Sequence, residues 1–414
     1  MRTLQISEAR ATTQSFTDEQ AAALAHLGVV LASERRWWGA ADLGSGGGSV
    51  FRLTKLYGGS WRLDVGNVVG VVGLPDLTLI IEPKIGMDHF RHLLARSNGL
   101  PRVDSSPTSL EAAPDLQRLV IEWFVSELDA LFRRGIVRDY VSTSERLPYV
   151  RGHVNLASTS RQWLQGKVVA DCEFEDFTED TPLNRYLATA ALQARRSPWI
   201  NDRMRARLAY AARELPAPRP EPLPDVDVEN LPARYRHYQR PVKYAIDILS
   251  GVGRSLETGD QASGTFLFNS AAVVEDGIRI VLADGLRPLR VVKTGGRYLL
   301  PAFVSVNPDL EFGPPPFTGD VKYKIGDRSW NRQDLAQAVL FAAAYKSPHA
   351  IITDFVERDP SHRELNVGDI KVSRLRWVVG KGTGPEESER LFVDAAQDRM
   401  TAALTELSGS AQLA

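Results

Sequence analysis

Residues 303–324 read FVSVNPDLEFGPPPFTGDVKYK, and the fold of this stretch decides what the chain can do. Asp309 follows Pro308, and Asp320-Val321-Lys322 begins eleven positions after Asp309. Two carboxylates and a lysine that converge can hold a divalent metal and orient a water against a phosphodiester. Phe303-Val304-Ser305-Val306 and Val321-Lys322-Tyr323-Lys324 have the composition of strands. Between them, Gly313-Pro314-Pro315-Pro316-Phe317 cannot continue a strand and reads as a turn or loop. A hairpin folded about that run sets Asp309 opposite Asp320, where paired Cβ atoms lie ~4.5–5.5 Å apart. Asp320 and Lys322 are two apart and share one strand face. All three side chains then point into one pocket.

An acid two residues before a lysine also occurs in Glu82-Pro83-Lys84 and Asp369-Ile370-Lys371. Geometry sets both aside. Asp76 sits in the turn Leu74-Pro75-Asp76, and Glu82 is six residues further along an extended run, hence ~20 Å away at ~3.3 Å per residue. Pro83 marks a strand end or edge. The Asp369 copy has no upstream acid and reads as the polar face of an amphipathic strand.

Two predicted helices flank the hairpin. Upstream, Thr265 to Leu282 carries apolar residues at helical spacing, with Glu275 inside the stretch. A buried carboxylate is costly unless paired or metal-bound, which makes Glu275 a candidate third acid. The alternative is a place at the stripe's edge, reaching solvent. Downstream, Gln333 to Tyr345 is rich in good helix formers. Gln337, Phe341 and Tyr345 share a face there, either lining the site on its nucleic-acid side or forming a packing face. Lys324, two past Lys322, is a further accessory candidate on that side.

The 414 residues suggest two or three domains, and a formal net charge of −1 gives no global commitment to nucleic acid. The single cysteine, Cys172, excludes an intramolecular disulfide and any cysteine-ligated zinc or iron–sulfur site within the chain. Met1-Arg2-Thr3-Leu4-Gln5 lacks the apolar core of a signal peptide. No stretch approaches the ~20 apolar residues of a membrane span, so the expected location is the cytoplasm. Gly44-Ser45-Gly46-Gly47-Gly48 is not followed by Gly-Lys-Ser/Thr, so it reads as a flexible hairpin loop rather than a phosphate cradle.

Strand-like runs at Val50–Leu53, Trp61–Val65, Val68–Val72 and Leu77–Ile81 make the first hundred residues β-rich, with turns at Gly58-Gly59 and Leu74-Pro75-Asp76. A polar connector over 101–115 leads to a helix from Leu116 to Phe132. Asp180-Thr181-Pro182 caps and starts another, which runs towards Ala194. The helix carrying Arg203, Arg205 and Arg207 presents a solvated face. A proline-rich connector over 215–232 precedes a helix from Ala233 to Leu249.

The order of helix with Glu275, Asp309, turn, Asp320-x-Lys322 and helix resembles the core of the PD-(D/E)xK nuclease superfamily over about residues 260–380. The lone cysteine excludes that superfamily's iron–sulfur branch. Asn67-Val68-Val69-Gly70-Val71-Val72 followed by Leu79-Ile80-Ile81-Glu82-Pro83-Lys84-Ile85 is similar to the N-terminal signature of the McrC subunit family of McrBC-type 5-methylcytosine-specific (type IV) restriction systems. Arg151-Gly152-His153-Val154-Asn155 and Phe174 to Arg185 resemble that family's central motifs. Val274 stands where many relatives have Phe, and Phe341 where related nucleases often have Tyr.

The resemblance implies a DNA-cleaving subunit that docks on an AAA+ GTPase (McrB-like) ring, stimulates it, and cuts double-stranded, modified DNA. By position, Asp309 and Asp320 are metal ligands, Glu275 is an accessory acid and a third metal ligand beside them, and Lys322 orients the water and stabilises charge. Mg²⁺ is the implied cofactor, with Mn²⁺ tolerated and no nucleotide site in this chain. A non-cleaving activator of an AAA+ NTPase and a stand-alone repair nuclease of the same fold remain open alternatives. The expected architecture is α/β (α+β overall). It has a β-rich partner-docking domain over 1–105, a mainly helical middle over 106–255, a PD-(D/E)xK restriction-endonuclease-like domain over 256–390, and a C-terminal helix and tail over 391–414.

Overall fold

A computed structural model describes residues 2–33, 50–74, 76–97, 113–218, 226, 228, 231–252, 266–294, 296–299, 304–313, 317–326, 329–358, 361 and 363–411. The Gly44–Gly48 loop, most of the 101–115 connector, parts of the proline-rich 215–232 connector, Pro314–Pro316 and the last three residues lie outside them. The chain forms two compact units, Met1–Ala113 with Leu267–Ala414, and Pro114–Phe266. This differs from the linear division expected from the sequence, because the N-terminal residues and the C-terminal third share one unit.

The elements of the N-terminal part are β1 (Arg2–Ser7), β2 (Thr12–Gln14), α1 (Asp18–Ser33), β3 (Phe51–Lys55), β4 (Trp61–Val65), β5 (Val68–Leu74), β6 (Leu77–Glu82) and α2 (Met87–Ser97). The four expected strands are present, but α1, α2, β1 and β2 were not foreseen. β5 reads VVGVVGL and is buried along its whole length, as a β-branched run covered on both faces should be. Asp76 takes a left-handed φ of 55° at the tip between β5 and β6, a conformation that aspartate tolerates.

The second unit contains α3 (Ala113–Arg134), β7 (Asp139–Leu147), β8 (His153–Val154), α4 (Leu156–Leu164), β9 (Ala170–Thr178), α5 (Pro182–Ala194), α6 (Asp202–Glu214), a 3₁₀ turn (Ala233–Tyr238) and α7 (Gln239–Val252). Its antiparallel sheet has the order β7-β9-β8. Thr181 caps α5 as expected, accepting from Asn184 N at 3.2 Å. Asn184 is fully buried; its amide donates to the Val137 and Glu179 carbonyls at 2.9 and 2.7 Å and accepts from Tyr238 Oη at 2.5 Å. Burial pushes the Tyr238 phenol up to about 12, so it stays a donor. The Asp180–Arg185 motif is therefore structural. Arg203 and Arg207 are exposed as expected, whereas Arg205 is half-buried and donates to the carbonyls of Arg195 and Ser197, closing the end of α5.

The chain then returns to the first unit with β10 (Phe266–Asn269), α8 (Ser270–Gly285), β11 (Arg290–Val292), β12 (Arg297–Leu299), β13 (Val304–Val306), β14 (Leu310–Gly313), β15 (Phe317–Ile325), α9 (Arg332–Tyr345), β16 (His349–Val356), β17 (Arg363–Val367), β18 (Ile370–Val378) and α10 (Pro385–Ala411). One sheet has the order β1-β6-β5-β10, so a C-terminal strand completes the N-terminal sheet. α8 begins at Ser270 rather than Thr265, because Asn269 Oδ1 caps it by accepting from Ala272 N at 3.1 Å. α8 packs on α2 at Gly277, where a Cβ would come within 2.7 Å of the Leu93 carbonyl oxygen.

The larger sheet has the order β11-β14-β15-β16-β18-β17, with β15, β16 and β18 parallel. The expected hairpin forms, but its first arm is β14. Val304–Val306, expected in that role, pairs with β12 instead. Gly313 and Phe317, expected in the turn, are strand residues. β18 is not an amphipathic strand: it is buried from Val372 to Val378, and Lys371 pairs with Glu406 at 2.7 Å and Glu364 at 3.4 Å.

Candidate functional site

The β14–β15 register pairs Leu310 with Gly319, Glu311 with Thr318 and Phe312 with Phe317. Extended by one pair, it sets Asp309 against Asp320. Asp309 Oδ2 accepts from Val321 N at 2.9 Å, which fixes its carboxylate to the opposing strand. The two carboxyl groups lie within hydrogen-bonding reach of each other. Asp320 is buried, with 3% of its surface exposed.

Lys322, on the same strand face, places Nζ 2.6 Å from Asp320 Oδ2 and donates to Gln337 Oε1 at 2.7 Å. Gln337 is held by α9, which Asn331 caps by accepting from Gln333 N at 2.9 Å and Asp334 N at 3.2 Å. The pairing of β15 with β16 shifts between Val321 and Ile325, an irregularity of the kind that re-aims side chains beside sites.

Glu275 of α8 joins this group through a residue that the sequence reading missed. Lys293, just past β11, has Nζ 3.1 Å from Asp309 Oδ1 and 3.3 Å from Glu275 Oε2. Lys324 turns to Asp334, with which it forms an ion pair. Phe341 and Tyr345 pack with Val306 in a small core, so the packing alternative holds for both aromatics. The structure thus brings together Glu275, Lys293, Asp309, Asp320, Lys322 and Gln337, and leaves Lys324 at the margin.

Burial pushes the Asp320 carboxyl up to about 7; the Lys322 ammonium opposes this and the neighbouring Asp309 adds to it. Burial alone would lower Lys293, but the carboxylates of Asp309 and Glu275 outweigh it and hold the ammonium above its ordinary range. Asp320 Oδ2 is buried, and the Lys322 ammonium lies 2.6 Å from it. A buried carboxylate within reach of a second carboxylate is a donor set suited to a hard divalent cation, which takes oxygen ligands and, as Mg²⁺, needs only one or two carboxylates beside its waters. Among the described residues no three His, Cys, Asp or Glu are grouped as ligands. Glu275, expected as a third ligand, is therefore not grouped with the other two acids and pairs with Lys293 instead, which leaves Asp309 and Asp320 as the two residues that could hold a cation.

Fold and site together define an α/β core in which a strand hairpin presents two carboxylates and a lysine beside a helix-borne glutamine. The model of the family described as McrBC 5-methylcytosine restriction system component matches residues 63–351, and the chain belongs to that family. All six residues singled out in the sequence lie within the matched span. In architecture, the chain is similar to the structure described as a refined half-complex from the tetradecameric assembly of Thermococcus gammatolerans McrB AAA+ hexamers with bound McrC. There the TM-score is 0.56 and the identity 16%, over 96% of this chain and 99% of that one. A cryo-EM structure of the Thermococcus gammatolerans McrBC complex aligns with a TM-score of 0.43 and 18% identity, over 70% of this chain and 89% of that one. No curated protein matches the sequence.

The Asp320 shift has a consequence for stability. The folded carboxyl keeps its proton up to about 7, whereas an unperturbed aspartate loses it near 3.8. Between these values the folded state binds more protons, so this group's contribution to stability falls as pH rises through the window. Asp320→Asn cannot ionise. It should raise the melting temperature of the metal-free protein by roughly 2–6 °C at pH 8 and by much less at pH 4. Equal shifts at both pH values would contradict a buried, ionising Asp320.

Proposed function

We propose that this chain is the DNA-cleaving subunit of a two-component, modification-dependent restriction complex, a metal-dependent endonuclease that works with an AAA+ GTPase. The observation that carries the reading is the hairpin register: in a member of the McrBC family it sets Asp309 against Asp320, with Lys322 on the same strand face. Asp309 and Asp320 would hold the cation, in line with their all-oxygen donor set and their mutual reach. Bound there, Mg²⁺ or Mn²⁺ would neutralise phosphate charge and acidify a water. Lys322, braced by Gln337, would orient that water and stabilise charge on the phosphate. Lys324 and Gln337 are accessory groups, and Glu275 adds negative potential from α8. Nucleotide hydrolysis belongs to the partner in this reading, as does recognition of the modified base.

Asp309→Ala and Lys322→Ala should each lower cleavage of modified double-stranded DNA at least ~10³-fold in the assembled complex, an electrostatic effect of the size seen for oriented charge-stabilising groups. Binding to the GTPase and stimulation of its GTP turnover should persist. Cleavage at the wild-type rate by either variant would refute the site. A wild-type chain that stimulates GTP turnover but never cuts would instead favour the non-cleaving activator.

Docking on the GTPase was expected of residues 1–105. In the first unit, however, β5 and most of β6 are buried. Large exposed apolar side chains occur in the second unit on and next to α4, at Leu156, Trp163, Leu164 and Val168. Such side chains beside polar residues mark interaction surfaces, and we extend the docking proposal to this α4 region. Leu164 is 89% exposed, so Leu164→Asp has little packing to lose. It should weaken binding to the cognate GTPase ring by about tenfold or more, with an unchanged melting temperature. Tyr57→Asp, at an equally open position near the N-terminus, should leave it intact. The reverse outcome would return docking to residues 1–105.

A further inference from the structure

The two lysines of the site are held differently. Lys322 rests on one carboxylate and on Gln337. Lys293 spans two carboxylates from separate elements, with Nζ between Glu275 Oε2 at 3.3 Å and Asp309 Oδ1 at 3.1 Å. The other Asp309 oxygen is already taken by Val321 N at 2.9 Å, so Oδ1 is the one left to face a cation. Lys293 fills that position. Its side chain remains one-third exposed (33%), and a four-carbon stem ending in a point charge can swing to solvent without disturbing the backbone.

Resting on the nuclease reading above, we propose that Lys293 is a built-in counter-ion. Its ammonium occupies the cation position beside Glu275 and Asp309 while the site holds no metal, and it withdraws when a divalent cation enters. Without it, Glu275 and Asp309 would lose the cation that lies between them, and like charges in a partly buried place are unfavourable. Metal entry must break both Lys293 contacts before the carboxylates can ligate. Each contact is a partly exposed ion pair and weak by itself, so together they lower metal affinity by roughly tenfold, equivalent to ~1.4 kcal/mol. Phosphate oxygens from DNA supply further ligands. The device therefore biases the site towards loading metal when substrate is present rather than before.

The test is Mn²⁺ binding to the full-length protein at pH 8, without DNA or nucleotide, by isothermal titration calorimetry. Lys293→Met removes the charge and keeps the length, and it should bind Mn²⁺ about tenfold more tightly than wild type at unchanged stoichiometry. Lys293→Arg keeps the charge and should bind no more tightly than wild type. Unchanged or weaker binding by Lys293→Met overturns the proposal, since a lysine that merely positions Asp309 would weaken binding when removed. If Lys293→Met fails to fold by circular dichroism, Lys293→Gln takes its place with the same two outcomes. Asp309→Ala separates the two claims. Loss of Mn²⁺ binding there sustains the site, whereas wild-type binding there overturns both the site and the counter-ion role.

Discussion

A single carboxylate, that of Glu8, is buried where four stretches of chain meet, and the site strand depends on it. Glu8 lies just past β1. It accepts from the hydroxyl of Ser270 at the start of α8, from the phenol of Tyr323 on β15, and from Lys84 N beyond β6 at 3.1 Å. Lys84 donates to Asn67 Oδ1 at 2.9 Å and lies over the Tyr323 ring at 3.8 Å. Burial pushes Glu8 up and Lys84 down, each opposed by the charge of the other. A buried carboxyl survives only with its lone pairs satisfied, and here the partners come from both ends of the chain. Tyr323 stands between Lys322 and Lys324. The face of β15 that points away from the site is thus pinned to the N-terminal strands, and the site face is held in register as a result.

This constraint accounts for the merger of the N-terminal residues with the C-terminal third. β10 completes the N-terminal sheet, α8 follows it directly, and Gly277 lets α8 approach the backbone of α2. The residues that aim Glu275, Asp309 and Asp320 are therefore braced by β1, β5 and β6. Lys84, in the acid-x-lysine triplet set aside on geometric grounds, supports the Asp320-Val321-Lys322 copy from behind.

The parts of the site governed by local rules were legible in the sequence. Strand period and a proline-rich turn are enough to oppose Asp309 and Asp320 and to put Lys322 on the same face. Thr181 and Pro182 announced α5 for the same reason. Competition for pairing was not legible. Val304–Val306 has the composition of a hairpin arm, but β12 takes it, and β14 forms the arm instead. The start of α8 was misplaced because Phe266–Asn269 is apolar in either conformation and only pairing with β5 makes it a strand. Lys293 meets its partners across 16 and 18 residues on different elements, and Glu8 across 262 and 315. No periodicity encodes such meetings. The only available hint at Lys293 was a lysine in a chain where arginine greatly outnumbers it.

The central claim is that Asp309 and Asp320 together hold a divalent cation. The most direct measurement is anomalous diffraction from crystals of the protein soaked in Mn²⁺. A single strong anomalous peak within ~2.0–2.4 Å of a carboxylate oxygen from each of Asp309 and Asp320 is the predicted result. A peak that avoids both side chains, or none at saturating Mn²⁺, would contradict the account.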